Sequence, residues 1–163
     1  MASPSLSVSV QEADFDVAAL QQQLLQAEQE EGAVATFTGY VRATGDQSGV
    51  SAMELEHYPG MTERSILAIL QESTARWPVL AASVVHRVGC LRSGDRIVWV
   101  GVASAHRAAA FSACEFIMDY LKHRAPFWKK ETGREGSRWV EARTDDAERA
   151  DRWRDEAIDS PNG

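Results

Sequence analysis

The first periodic stretch, Leu6 to Val10, runs Leu-Ser-Val-Ser-Val, the two-residue period of a half-buried strand. From Asp16 to Glu30 the spacing becomes helical, with Val17, Leu20 and Leu24 on one side and glutamines on the other, and Gly32 closes the element. Ala33 to Val41 (AVATFTGYV) is rich in β-branched and aromatic residues, which predicts a strand with a bulge or close approach at Gly39. The polar run Arg42 to Gly49 predicts a loop, mobile over 43–49. Ala52 to Tyr58 alternates again, Met53, Leu55 and His57 on one side and Glu54, Glu56 and Tyr58 on the other. After the Pro59-Gly60 turn, Thr62 is placed to cap a helix with Ile66, Leu67, Ile69 and Leu70 on its apolar face, which Trp77-Pro78 stops.

Ala81 to Val88 and Arg96 to Ala103 read as two strands of a hairpin around Ser93-Gly94-Asp95. Ser104 is placed to cap a long helix from about His106 to His123. Beyond Pro126 come two short extended pieces, Phe127 to Glu131 and Arg138 to Ala142, and then a charged helical tail from Asp145 to Ile158. Residues 1–5 and about 159–163 are expected to be disordered. Strands and helices mix without regular βαβ alternation, and several neighbouring strands suit antiparallel pairing. This predicts an α+β fold, an antiparallel sheet with packed helices, in a single domain spanning 1–163. No GxGxxG or GxxxxGK[ST] phosphate loop occurs.

Charge narrows the function classes. The formal net charge of -7 argues against a nucleic-acid or membrane-surface binder, since both need an extended basic face. It leaves room for a small basic pocket. Neither of the 2 cysteines, Cys90 and Cys114, belongs to a CxxC pair, so both read as reduced thiols of a cytoplasmic protein. No secretory signal or membrane span is present in the 163 residues. No His, Cys or carboxylate pair has metal-ligand spacing, and neither metal nor cofactor is expected. His57 and His86, within strand patterns, read as packing or surface residues.

Candidate chemistry concentrates in Ser104 to Lys130, SAHRAAAFSACEFIMDYLKHRAPFWKK. On a helix, Ala110, Phe111, Cys114, Ile117, Met118 and Leu121 form one apolar stripe, and Ser112, Glu115, Asp119 and Lys122 fall opposite. Lys122, His123 and Arg124 suit the negative end of a helix dipole whether or not they do chemistry. Pro126 breaks the helix and keeps Lys129 and Lys130 near, with Phe127 and Trp128 between the cations. Such a mixture suits a flat anionic ligand. His106 and Arg107 lie at the other helix end, roughly 25 Å away. The two ends cannot meet on one small ligand unless different subunits supply them or the helix is shorter.

In order along the chain, TFTGYVR (Thr36 to Arg42), LEHYPGM (Leu55 to Met61), GVASAHR (Gly101 to Arg107), FIMDYLKHRAPFWKKE (Phe116 to Glu131) and RWVEAR (Arg138 to Arg143) resemble segments of the MoaE family, the large, catalytic subunits of molybdopterin synthase. The resemblance runs from about Gly32 to Arg143. It implies a hammerhead-type α+β fold and a homodimer of this chain. Each copy would bind a small ubiquitin-like sulfur carrier (MoaD-like), giving a heterotetramer. The carrier would bring sulfur as a C-terminal Gly-Gly thiocarboxylate, and cyclic pyranopterin monophosphate would be converted to the dithiolene of molybdopterin. Residue by residue, Lys122 and Lys129 match the catalytic lysines. Arg42, His106 and Arg107 match substrate-anion residues, and Phe37 and Met118 match residues lining the pocket. Arg143 matches one reaching the site from the partner subunit. The chain ends SPNG rather than Gly-Gly, so the carrier is expected to be a separate protein.

Two other readings compete. One is a non-catalytic anion-binding or adaptor module using the same cations to dock an acidic tail. The other is a cysteine-based sulfurtransferase, which the core-facing placement of Cys114 disfavours.

Overall fold

The computed structural model describes residues 3–43, 52–133, 136–140 and 148–154. Strands β1 (Ser5–Gln11), β2 (Ala33–Tyr40), β4 (Val79–Arg87) and β6 (Arg96–Ser104) form one sheet in the order β1-β4-β6-β2. Strands β3 (Ala52–His57), β5 (Gly89–Arg92), β7 (Phe127–Gly133) and β8 (Gly136–Val140) form a second, ordered β5-β3-β7-β8. The helices are α1 (Val17–Gln23), α2 (Met61–Arg76) and α3 (Arg107–Arg124), and residues 148–154 are also helical. The α+β class matches the sequence expectation, with one exception to antiparallel pairing. β1 runs parallel to β4, from Ser5 opposite Ala81 to Gln11 opposite Arg87.

The first sheet is covered on both faces, and β4 and β6 are therefore apolar almost throughout instead of alternating. Ala82 and Val84 of β4 and Val98, Val100 and Val102 of β6 join Ile66, Ile69 and Leu70 of α2 and Phe116, Ile117 and Leu121 of α3 in the largest core. Ile66, Leu70, Val100 and Phe116 are fully buried, each worth about 1.5–3 kcal/mol relative to exposure. On the opposite face, Ala81, Val85, Trp99 and Ala103 pack against Phe15, Leu24 and, from α1, Val17 and Leu20. A Cβ at Gly101 would run into the Trp99 ring and Leu24, so glycine is what lets the indole lie flat along its own strand. Met53, Leu55, Val88 and Leu91 form a third cluster under the second sheet, with Val41 and Phe127 against it.

Several local expectations are corrected. The first helix stops at Gln23, short of the expected Glu30: Leu24, its C-cap, is buried, and Leu25 beyond it is already 44% exposed. The Ala81–Ala103 hairpin exists, but its connection is not a simple turn. Residues of β5 leave for the second sheet and pair with β3, Cys90 opposite Glu54. Thr62 does not cap α2. The helix starts after Gly60, and the Glu63 carboxylate accepts from the Gly60 N–H at 2.5 Å. Thr62, fully buried, accepts from the Tyr58 N–H at 2.9 Å and donates to the Pro126 carbonyl at 3.1 Å. It ties the start of α2 to the chain leaving α3. Ser104 does not cap α3 either, since its hydroxyl donates to the Pro78 carbonyl at 3.0 Å and His106 takes the cap position. Leu67, placed on the apolar face by spacing, is 37% exposed.

Strand β1 begins at Ser5, inside the stretch expected to be disordered. Apart from Ala43, the loop expected at 43–49 lies outside the described residues, as do Arg143 and the final DSPNG.

Candidate active site

Helix α3 is built from an alanine-rich first turn, which favours helix, and ends where Ala125 takes an extended conformation (φ -73°, ψ 128°) ahead of Pro126. Its buried positions run from Ala109 to Leu121 and cover more than one stripe. Phe111 breaks the expectation. Assigned to the core by periodicity, it is 67% exposed. Asp119, assigned to the solvated face, is 6% exposed.

Both residues lie along a cavity of about 480 Å³, where Phe111 stands exposed and Asp119 is covered by Arg149 and Trp153. Ala35, Thr36 and Phe37 of β2, an edge strand of the first sheet, form one side. Phe111, Cys114, Glu115, Met118, Asp119 and Lys122 of α3 form the other, and Arg149 of the 148–154 helix closes it. The positions 111, 115, 118 and 122 are spaced by three or four residues and so share one helix face. At the β2 side, the register shifts between Gly39 and Tyr40. A Cβ at Gly39 would lie 2.8 Å from Val98 Cγ1 and 3.3 Å from the Phe37 ring, so the bulge and the close approach coincide beside the pocket wall.

Of the residues named from sequence, Phe37, Met118 and Lys122 meet in this cavity. Lys122 is exposed in the last turn of α3, while Met118 is largely buried. Lys129 is half-buried on β7, opposite Leu55 of β3 and Val140 of β8, and does not line the cavity. Arg42 stands exposed just past β2, where Val41 is fastened by a hydrogen bond to the Asp95 carbonyl at 2.9 Å. His106 and Arg107 are exposed at the far end of α3; at 1.5 Å per residue they lie about 24 Å along the axis from Lys122. The chain thus gathers three of the predicted residues and leaves Lys129, Arg42, His106 and Arg107 off this cavity. Arg143 lies outside the described residues.

Sequence reasoning missed Arg149, Glu115 and Asp119 as one unit. The Asp119 carboxylate accepts from Trp153 Nε1 at 2.8 Å and from Arg149 Nε at 3.0 Å. Arg149 Nη2 donates to Glu115 Oε1 at 3.0 Å, and Arg152 Nη2 reaches Glu115 Oε1 at 2.6 Å and Asp119 Oδ2 at 3.4 Å. These bonds fasten residues 148–154 to α3 across some thirty positions of sequence. The i, i+3/i+4 spacing of 111, 115, 118 and 122 was the available signal for the wall. Nothing local announced the tail's part in it.

The pocket thiol is chemically quiet. Burial, with Glu115 adding repulsion, pushes Cys114 up to about 12, so it is a neutral thiol at physiological pH. Behind the last turn of α3, His86 is buried and its ring stacks on Phe127, centroids 3.9 Å apart at 18°. Burial is the main reason it falls to about 4; the Arg87 carbonyl, 2.8 Å from Nδ1, opposes that shift, and the charges of Lys122 and His57 add to it.

The MoaE protein family model matches residues 10–124, more than half of the chain. The chain belongs to the MoaE family. It is 55% identical over 147 residues to the "Molybdopterin synthase catalytic subunit" of Ralstonia nicotianae, covering 90% of this chain and 84% of that relative. A MoaE protein structure from Burkholderia ambifaria superposes with a TM-score of 0.76 at 47% identity, covering 93% of this chain and 98% of that one. A Helicobacter pylori chain, from a complex of subunits 1 and 2 of molybdopterin-converting factor, shares the fold at 17% identity and a TM-score of 0.69, covering 83% of this chain and 91% of that one. Like them it mixes helices with two sheets, and none of its described helices is long and apolar enough to cross a membrane.

Proposed function

We propose that this MoaE-family chain is the catalytic subunit of a molybdopterin synthase, a sulfurtransferase that acts in the cytoplasm as a homodimer carrying two small ubiquitin-like carriers. The 55% identity to a catalytic subunit over nine tenths of the chain carries the reading. The pocket supports it: a walled cavity with apolar sides and a lysine at its end suits a narrow peptide tail that ends in an anion.

In this reading the carrier's Gly-Gly thiocarboxylate enters between β2 and α3 and reaches Lys122. Its sulfur adds to an electrophilic carbon of cyclic pyranopterin monophosphate, forming a carbon–sulfur bond and a thioester to the carrier. Water then cleaves the acyl–sulfur bond, leaving sulfur on the pterin and a carboxylate on the carrier. Each carrier supplies one sulfur, so the dithiolene consumes two. The Lys122 ammonium stabilises the thiocarboxylate and the tetrahedral oxyanion, or moves the proton as the cyclic phosphate opens. Lys129 shares this work or holds substrate, and Phe37 and Met118 line the channel. Arg42, His106, Arg107 and Arg143 bind the phosphate, with Arg143 contributed by the partner subunit.

The test is reconstitution: the protein, a thiocarboxylated carrier and the cyclic pterin, with dithiolene formation as readout and no added thiol. Wild type turns over, and Lys122→Ala folds and binds carrier but loses activity by on the order of 10²–10⁴-fold. No product from wild type would overturn the function, and an active Lys122→Ala would remove that lysine from the chemistry.

A further inference from the structure

The 148–154 helix contributes a guanidinium that lines the same cavity as Lys122 and is held by two carboxylates on α3. Arg149 uses Nε on Asp119 and Nη2 on Glu115, both at 3.0 Å, and its side chain is 53% exposed. Its hydrogen bonds to described residues use Nε and Nη2 and not Nη1, on a side chain that lines the cavity. Asp119, which accepts from Arg149 Nε, is itself fixed by Trp153 Nε1 of the same helix.

Charge adds a second argument. Among the described residues the lining holds Glu115 and Asp119 against Lys122 and Arg149, two negative and two positive. Without Arg149 these lining side chains would carry one net negative charge, offset only by Arg152, which reaches both carboxylates but does not line the cavity. Of the remaining described lining, Ala35, Phe37, Phe111, Cys114 and Met118 are apolar or nearly so, and Thr36 adds one hydroxyl, so hydrogen-bond donors are few. Such a site accepts a monoanion at the end of a slim chain better than a phosphate dianion, which needs more donors and more positive charge.

We propose that Arg149 is a binding residue of this pocket: it neutralises Glu115 and Asp119 and offers Nη1 to the terminal carboxylate or thiocarboxylate of an inserted peptide tail. The inference rests on the carrier reading above and extends it to a residue of the C-terminal helix. It makes two carboxylates of α3 opponents of binding and Arg149 the counterweight that faces the cavity lining, with Arg152 bonded to both from outside it.

The experiment measures the affinity of the holo dimer for a carrier ending in an unactivated Gly-Gly carboxylate, together with the half-saturating carrier and pterin concentrations in turnover. Arg149→Gln weakens carrier binding roughly tenfold, as expected for loss of one charge-assisted contact. Glu115→Gln, at an exposed position that leaves Arg149 on Asp119, tightens it by about two- to fivefold. The double variant falls between the two. Opposite signs are the signature, since a purely structural clamp would make both single variants lower the melting temperature and weaken binding together.

Unchanged carrier binding in Arg149→Gln, or weaker binding in Glu115→Gln, overturns the proposal. So does an effect confined to the half-saturating pterin concentration, which would assign the arginine to the phosphate. Wild-type protein that binds no carrier overturns the function and this inference together, whereas wild-type binding with an indifferent Arg149→Gln overturns this inference alone.

Discussion

At the C-terminal end of α3, Lys122 lies with Met118 and Phe37 in a walled cavity, and at the N-terminal end, His106 and Arg107 stand exposed and line no part of it. Both ends offer cations, and the N-terminal end adds free backbone N–H groups that favour anions. What separates them is the surroundings. At one end an edge strand, α3 and the 148–154 helix frame a largely apolar recess around the lysine. At the other, the described chain supplies no wall. A cation type in a sequence is therefore not yet a site; the packing partner decides, and for His106 and Arg107 the shared-site reading proposed above takes that partner from another copy of the chain.

That comparison breaks most sharply in a mixing experiment. Lys122→Ala and Arg107→Ala are each expected to be poorly active, the first by on the order of 10²–10⁴-fold and the second by roughly 10–100-fold, the value of one charge-assisted phosphate contact. If one site takes Lys122 from one copy and Arg107 from its partner, exchanging subunits between the two inactive dimers restores function. Half the dimers become mixed, and each mixed dimer has one intact site, so activity returns to about a quarter of wild type. No recovery after verified exchange would place both ends of the helix in separate roles and end the shared-site account.

A second prediction concerns what stands behind the Lys122 end. His86 is buried against Phe127 and is held down to about 4 from an ordinary 6.5. The folded-state value is the lower one, so the unfolded chain takes up a proton first as pH falls. Stability from this group is present above about pH 6.5, declines between there and about pH 4, and levels off below. The full span is worth on the order of 3 kcal/mol. Lys122 and His57 both oppose protonation, so the loss is tied to this end of the helix and not to the other. Denaturant midpoints at several pH values should fall more steeply for wild type than for His86→Gln; parallel slopes would show that another group governs acid sensitivity.

The contrast between the two ends also explains what the amino-acid pattern revealed. β4, β6 and the inner face of α2 were legible because period and apolar content agree with two-sided burial. The bulge at Gly39 was legible because glycine inside an aromatic strand has few other reasons to be there. Phe111 and Asp119 were misplaced because periodicity knows only core and solvent. A pocket wall turns an aromatic outward and buries a carboxylate, and the residues that do so for Asp119, Arg149 and Trp153, come from some thirty positions away. Thr62 and Ser104 were misread as caps for a related reason: each hydroxyl serves a distant carbonyl, Pro126 or Pro78, that sequence cannot bring near. Lys122 and Lys129 each entered through the motif and through their nearness across Pro126, yet Lys122 lines the cavity and Lys129, paired on β7, does not.

The smallest expected effect is at Cys114, which lies on the cavity wall one helical turn from Met118 and belongs to the pocket without sharing its charge. Burial raises its thiol to about 12, so near neutral pH almost none is thiolate, and the thiolate is the form that attacks or carries sulfur. Cys114→Ser removes the sulfur and keeps the shape. The buried hydroxyl costs about 1–3 kcal/mol if it finds no partner, read as a lower melting temperature. Turnover with thiocarboxylated carrier should stay within about fivefold of wild type. A folded but inactive Cys114→Ser would mean that sulfur passes through the chain itself, and the pocket would then owe its chemistry to the thiol in its wall and not to the lysine at its end.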